Sequence, residues 1–299
     1  MVKTALSPII AGTMNWGKGD KDLNTSEMAN MINVCVENKI TTFDHADIYG
    51  GYTTENSFGR ALAESSIGRQ KIQLVSKCGI AAPGRPDSGQ HLSENSNSKL
   101  KHYNYTKEYI IWSAENSLKN FQTDYLDVFL LHRPSPLMEA DEIAEAVEKL
   151  KGDGKILDFG LSNFTPSQTD LIRSRTQVSY NQIQFSATDF DAMLNGSLDH
   201  MQVNNIRPMA WNPLGTVFRE NTDQTKRLKT LLAALVAKYH IGSDTILLSW
   251  VLQHPAKIIP IAGTVNVSRI QQLFKAAAFK LEQEEWFAIW TESMGTKVP

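Results

Sequence analysis

Short apolar runs rich in Ile, Val, Leu and Phe alternate along the chain with longer segments in which apolar residues return every three or four positions. The first pattern marks buried strands and the second marks helices with one apolar face. The runs "SPIIAG", "ITTFD", "IQLVSK", "YLDVFLLH", "ILDFGLS", "VSYNQIQF", "RPMAW" and "KIIPIAG" predict eight strands, most followed by a helical segment. "SEMANMINVCVENK" predicts the first helix, with Ser26 as its cap and Met28, Met31, Ile32 and Cys35 on one face. "YTKEYIIWSAENSLKNF" and "DEIAEAVEKLKGDG" repeat the pattern, the second closing on Gly152 and Gly154. "VFLL" is apolar on both faces, as a buried parallel strand must be. Eight such units over residues 1–299 predict an α/β fold, a single (β/α)8 TIM barrel domain. An open doubly wound sheet is the competing arrangement, but "AGTMNWGKG" is a poor match to the glycine-rich turn it needs. Two long connections, about 78–105 and 212–223, are expected at the active-site face.

Composition narrows the class. The chain has 299 residues, 41% of them apolar, which allows a large core, and a net charge of −2 with no basic run. Nucleic-acid and membrane-surface partners are therefore not expected. "MVKTALSPII" lacks the features of a secretory signal, and runs such as "TILLSWVL" fall short of the ~20 residues that span a bilayer. Cys35 and Cys78 lie far apart without CxxC spacing and read as reduced thiols, so a cytoplasmic protein is expected. The charge pattern leaves the oligomeric state open between monomer and weak dimer.

In a (β/α)8 barrel the active site lies where the strands end. The second predicted strand ends in Asp44, the third in Lys77, the fourth in His132 and the fifth in Ser162 and Asn163. Asn181, Gln182 and Gln184 close the sixth, and Trp211 and Asn212 the seventh. Singly, Asp44 suits a turn cap, Lys77 a solvated strand end and His132 a core position; on consecutive strand ends they mark a site. A lysine at a barrel mouth needs a partner, and Asp44 stands on the neighbouring strand. Tyr49 lies five residues beyond Asp44, with Gly50 and Gly51 available to turn the chain back. A phenol titrates near ~10, and a neighbouring ammonium lowers that value, which makes Tyr49 beside Lys77 a candidate general acid. His132 can donate to the same substrate oxygen as charge develops on it. Asp47 reads as solvated loop. No protein nucleophile and no metal-ligand cluster accompanies these groups, so an external hydride donor, a nicotinamide cofactor, is implied. A Schiff-base aldolase using Lys77 is the alternative, opposed by Asp44, which would hold the amine charged.

These residues resemble the aldo-keto reductase family over essentially the whole chain. "DHADIYGGYTTENSFGRAL" resembles its stretch with Asp, catalytic Tyr, Glu and Gly, here Asp44, Tyr49, Glu55 and Gly59. "TDYLDVFLLHRP" resembles the segment ending in the catalytic His, here His132, and "GKILDFGLSNF" the one whose Ser162 and Asn163 hold the nicotinamide carboxamide. With Lys77 closing "LVSK", the family's tetrad is complete. The resemblance implies NADPH-dependent reduction of a small-molecule aldehyde or ketone, with NADH also possible, and no metal. It assigns Gln182 to the carboxamide, Trp211 to stacking on the nicotinamide, and Asn212, Leu214 and Gly215 to the pyrophosphate. Gly263, Thr264, Arg269 and Gln272 in "GTVNVSRIQQ" would meet the adenosine phosphate, with Arg269 on the 2′-phosphate. Thr13 and Met14 would lie by the nicotinamide, with Asp44 also counted among the cofactor contacts. Trp16, Tyr52 and Arg133 would line the substrate pocket, and Tyr103 or Tyr105 would face the site from a polar lid.

The sequence also departs from the family. His45 replaces a small or hydroxyl residue and is expected to point away from the site. Gly263 stands where some members have a phosphate-binding Lys, Val265 where many bacterial members have Arg, and Leu273 where Asn is common. The grip on a 2′-phosphate would then rest on Arg269. "HADIYGGY" and "VSKCGI" are shared with poorly characterised bacterial oxidoreductases of the family. A nucleotide-sensing regulatory subunit without turnover is the other function this resemblance allows.

Overall fold

The computed structural model describes residues 4–17, 21–83 and 100–298. Eight parallel strands close into a barrel: β1 (Ile10–Gly12), β2 (Thr42–Asp44), β3 (Gln73–Cys78), β4 (Leu126–Leu131), β5 (Ile156–Ser162), β6 (Tyr180–Gln184), β7 (Arg207–Trp211) and β8 (Ile259–Ala262). Each pairs with the next in sequence, and β8 returns to β1 through Ile10 against Ile261. All eight strand predictions coincide with barrel strands.

Two layers of apolar side chains hold this arrangement. Ile10, Val75, Val128, Leu130, Tyr180, Met209, Ile259 and Ile261 fill the barrel interior. A larger cluster, including Phe43, Phe129, Phe159 and Phe185, packs the outer strand faces against the helices. Side chains alternate across a strand, so a residue two beyond an interior one points inward too. Lys77 follows Val75 in this way, and His132 follows Leu130. At Gly160 a Cβ would sit 2.6 Å from the Tyr180 carbonyl and 2.7 Å from Leu130 Cδ2, so the absence of a side chain makes room for the interior layer.

Helix ends follow local chemistry. The first long helix, Thr25–Glu37, is capped by Asn24, whose side chain accepts from Glu27 N while Glu27 returns a bond to Asn24 N. The cap is thus two residues before Ser26; the reciprocal Asn24–Glu27 pair satisfies two free amides that Ser26 could not reach together. Helix Lys107–Phe121 starts at Thr106, and helix Ala140–Gly152 is followed by Gly154 in the left-handed region. At the ends of the long 78–105 connection a two-stranded antiparallel hairpin, Ile80–Ala81 with His102–Tyr103, was not predicted; the residues between 84 and 99 lie outside those described. The 212–223 connection is a turn-rich loop running into helix Asp223–Tyr239. Among the described residues no single helix is long and apolar enough to cross a membrane.

Helices Thr54–Glu64 and Lys107–Phe121 meet at Gly59, where a Cβ would lie 2.2 Å from the Asn120 carbonyl and 2.9 Å from Phe121 Cα. Both neighbours are main chain and cannot rotate away. Gly59→Ala gains about 1 kcal/mol of helix propensity but forces the helices apart, an overpacking cost of about 1–3 kcal/mol that exceeds the gain. The variant is expected to unfold at lower urea than wild type. Gly152→Ala, with nothing within 4 Å of its Cβ, is expected to be neutral or slightly stabilising in the same titration.

Candidate active site

Lys77 is fully buried at the mouth of the barrel, and its ammonium is saturated. Nζ donates to Asp44 Oδ2 at 2.8 Å, to the His45 carbonyl at 2.6 Å and to Tyr49 Oη at 3.1 Å. Asp44 uses its other oxygen, Oδ1, to accept from Gln182 Nε2 at 2.8 Å. Burial disfavours the ammonium, yet Asp44 and then Tyr49 outweigh it, so the Lys77 pKa is raised and the residue stays charged.

Tyr49 reaches the lysine because the chain reverses sharply behind it. Gly50, Gly51 and Tyr52 all have positive φ, at 60°, 65° and 69°. Two glycines adopt this region without the steric penalty of a side chain. Tyr52 is held there by its hydroxyl, which donates to the Ile80 carbonyl at 3.1 Å and accepts from Ala82 N at 3.0 Å. The ammonium can only donate, so Tyr49 Oη is the acceptor and its own hydrogen is free for another group. Burial pushes the Tyr49 phenol up and Lys77 pulls it down; the net direction is up. The expectation that Lys77 leaves Tyr49 more acidic than an ordinary phenol is therefore corrected: removal from water outweighs the cation, and Tyr49 is a protonated phenol at neutral pH.

His132 stands edge-on to Tyr49, ring centroids 6.2 Å apart. Burial, then Lys77 and Arg133, hold its pKa well below the ordinary imidazole value, so it is neutral. Nδ1 is buried with no hydrogen-bond partner among the described residues. A protonated phenol and a neutral imidazole side by side can protonate and hydrogen-bond an oxygen on which negative charge develops.

The next strand ends form a connected amide group. Asn163 Nδ2 donates to Ser162 Oγ at 2.8 Å, and Oδ1 accepts from Trp211 Nε1 at 2.9 Å. The Arg133 guanidinium lies 5.8 Å from the centroid of the Trp211 ring. Beyond Trp211, Asn212 and Gly215 take φ of 53° and 57°, and a Cβ on Gly215 would fall 1.9 Å from Thr188 Oγ1. Leu214 between them is half-buried. Arg219 braces this arch, donating to Asn212 Oδ1 at 2.7 Å and to the Gly215 carbonyl at 2.9 Å. Arg219 was not singled out from the sequence, because nothing local marks an arginine that folds back on its own loop. After β8, Gly263 is exposed and Thr264 Oγ1 accepts from Asn266 N at 3.1 Å. Asn266 caps helix Val267–Ala278, whose first turn carries no acid; Arg269 and Gln272 are exposed on it.

Several residues stand elsewhere than expected. Trp16 is not at a substrate pocket: it is fully buried against Phe43 and Phe58, where its ring removes more apolar surface from water than the mouth would allow. Tyr52 spends its hydroxyl on the hairpin rather than on the site. Asp47 is 3% exposed, not solvated, and its N–H donates to the Lys77 carbonyl. Tyr105 is buried with its hydroxyl on the Arg133 main chain, while Tyr103 is an exposed hairpin residue. Thr13 is buried, donating to the Asp44 carbonyl at 2.8 Å, whereas Met14 beside it is 59% exposed. His45 does point away, packed on Phe58 and Phe121 with Nδ1 2.8 Å from Thr13 Oγ1. Since the single Thr13 hydrogen goes to the carbonyl, Nδ1 carries the imidazole proton. Leu273 is buried on the core side of its helix, so apolar packing explains the departure from Asn there.

The donor set fits a nicotinamide dinucleotide. The Asn163 amide is bonded to the Trp211 indole and the Gln182 amide to Asp44, and an aromatic face with amides at neighbouring strand ends suits a flat carboxamide-bearing ring. At the other end Arg269 has no carboxylate partner among the described residues and sits in an acid-free first helix turn, which suits a phosphate.

Comparison with known proteins shows the family. The aldo/keto reductase family model matches residues 8–291. The chain is 42% identical over 291 residues to the uncharacterised oxidoreductase YcsN of Bacillus subtilis, covering 95% of this chain and 94% of that protein. It is 36% identical over 300 residues to a 6-dehydroglucose reductase of Agrobacterium fabrum, covering 99% and 97%. An aldo/keto reductase from Klebsiella pneumoniae, solved with NADP and acetate, shares the fold with a TM-score of 0.77 at 23% identity, covering 96% of this chain and 94% of that one. The chain is an oxidoreductase that belongs to the aldo/keto reductase family.

Proposed function

We propose that the protein reduces aldehyde or ketone carbonyls to alcohols, with NADPH as reductant and Tyr49 as proton donor. The observation that carries this reading is the buried ammonium of Lys77 shared between Asp44 Oδ2 and Tyr49 Oη. The reduced nicotinamide, when bound, supplies hydride to the carbonyl carbon. Ser162, Asn163 and Gln182 would hold its carboxamide and Trp211 its ring face. Asn212, Leu214 and Gly215 would follow the pyrophosphate, with Gly263, Thr264, Arg269 and Gln272 at the adenosine end. Met14 would border the nicotinamide from β1, and Asp44 would sit beneath it.

The protein's own groups manage the proton. Tyr49 Oη accepts from Lys77, so its hydrogen is free to meet the substrate oxygen, and neutral His132 donates to the same oxygen. As that oxygen gains charge it draws the phenol proton, and the adjacent ammonium stabilises the phenolate left behind. The same pairing opposes a Schiff-base reading. An amine whose pKa Asp44 raises is protonated and does not attack a carbonyl. NADPH is preferred over NADH only as far as Arg269 reaches, since Gly263 and Val265 offer no second cation.

Tyr49→Phe keeps the ring and removes the proton. It is expected to lower kcat for a panel of aldehydes by at least about a thousandfold while the fluorescence-measured NADPH Kd stays the same. Surviving turnover would show that the proton comes from elsewhere. Because burial raises the Tyr49 pKa above its ordinary 10.0, reduction should stay flat through neutral pH and fall only on the alkaline side of that value. Alcohol oxidation, which needs the phenolate, should rise over the same alkaline range; steady-state rates in both directions across pH test the sign. Arg269→Ala should weaken NADPH by about tenfold or more and leave NADH unchanged. Equal loss for both cofactors in a fluorescence titration would remove Arg269 from the 2′-phosphate.

A further inference from the structure

Arg133 lies two residues beyond β4, and its main chain is clamped on both sides. Its N–H donates to Tyr105 Oη at 3.1 Å, and the same hydroxyl donates to its carbonyl at 2.5 Å. Tyr105 is buried, and its ring lies so close to Gly79 that a Cβ there would be 2.0 Å away; Gly79 itself has a φ of +108°. A buried phenol thus commits its hydroxyl to fixing the two peptides that flank one residue, and the Arg133 side chain leaves from a defined point.

From that point the guanidinium crosses the mouth. β4 and β7 are three strands apart around the ring, yet the group lies 5.8 Å from the Trp211 ring centroid at the end of β7. It acts electrostatically on both neighbours, opposing the burial that raises Tyr49 and adding to the burial and Lys77 charge that lower His132. Three other arginines are paired with carboxylates: Arg69 with Asp127, Arg173 with Asp170, Arg175 with Asp141. Arg133 is half-buried and has no carboxylate partner among the described residues. A guanidinium held at the mouth with no carboxylate on its planar fork matches an oxyanion in two-point contact.

We infer that Arg133 recognises a carboxylate or similar oxyanion on the substrate, so that the favoured carbonyl compounds are oxo-acids whose anionic group reaches across the mouth. This rests on the carbonyl-reductase reading. An oxyanion of the cofactor offers the same chemistry, since the guanidinium reaches the end of β7, whose loop is assigned to the pyrophosphate; the substrate and cofactor arms of the test distinguish the two sources.

The test pairs substrates that share one reacting carbonyl: succinic semialdehyde with its uncharged amide, and para-carboxybenzaldehyde with its methyl ester. Wild type should show the higher kcat/KM for the acid of each pair. Arg133→Met should lower the acid-to-neutral ratio by about 10–100-fold, chiefly through KM, and Arg133→Lys should restore part of it, since the charge returns without the fork. Benzoate and benzamide, titrated by Trp fluorescence without any turnover, should separate in the same way, benzoate losing at least about tenfold in Arg133→Met. An acid-to-neutral ratio that Arg133→Met leaves unchanged overturns the inference. So does a variant that weakens NADPH binding while the ratio holds, which would give the oxyanion to the cofactor. Arg133-dependent benzoate binding in an enzyme that turns over no carbonyl would support the oxyanion site and refute the reductase reading alone.

Discussion

A charged lysine with no exposure to water constrains everything at the barrel mouth. Each buried ion carries an effective desolvation cost of several kcal/mol after relaxation, and only good geometry with satisfied hydrogens repays it. Here repayment takes three acceptors within 3.1 Å of one nitrogen, drawn from Asp44, the His45 peptide and Tyr49. That demand fixes the β2–β3 register, in which Asp44 pairs with Val75 so that Lys77 stands one inward step above it. It also ties in β6, whose Gln182 occupies the second oxygen of the carboxylate. Thr13 and His45 complete the arrangement from behind: the Asp44 carbonyl accepts from the Thr13 hydroxyl, and the imidazole steadies that hydroxyl. A departure that looks chemical, a histidine beside the key carboxylate, is thus support for the main chain of Asp44, whose carboxylate Lys77 binds.

The same exclusion of water sets the protonation of the neighbours. It raises the phenol of Tyr49 and lowers the imidazole of His132, so both are neutral donors around one retained cation. On the proposed reading this is a resting state suited to reduction. The acid holds its proton until the substrate oxygen becomes basic enough to take it, and Lys77 stabilises the phenolate only when it forms. Lowering the phenol pKa in the resting state would forfeit that proton; the cation acts on the charge that develops.

Much of this was legible from sequence because barrel strands impose a period of two and end at the site. Apolar runs located all eight strands, and the polar residues closing the third and fourth pointed to Lys77 and His132. Gly50 and Gly51 flagged the reversal behind Tyr49. What escaped depends on contacts between distant segments. Trp16 and Asp47 read as mouth and solvent because local sequence carries no record of Phe43 and Phe58 closing over the first, or of β3 taking the amide of the second. The Tyr49 shift was given the wrong sign because the pull of a cation is visible in a motif and the depth of burial is not. Tyr105 acts on the Arg133 main chain and Arg219 on Asn212 Oδ1 and the Gly215 carbonyl, contacts that no periodicity announces.

The two ends of the site differ in kind. Lys77, Asp44 and Gln182 are buried and interlocked, so no one of them changes without leaving a partner stranded in a dry environment. Arg269 and Gln272 stand in water on one helix turn, where a single side chain gains or loses a contact at little structural cost. Three departures from the family pattern, Gly263, Val265 and Leu273, fall on this segment: the first is exposed, and the other two pack on the core as apolar side chains. Arg133 belongs to neither extreme, since its side chain is half-exposed but its peptide is clamped by a buried phenol. Substitution there would alter the guanidinium without releasing the main chain, which makes it a position where the choice of substrate can shift while the proton chemistry beneath it stays fixed.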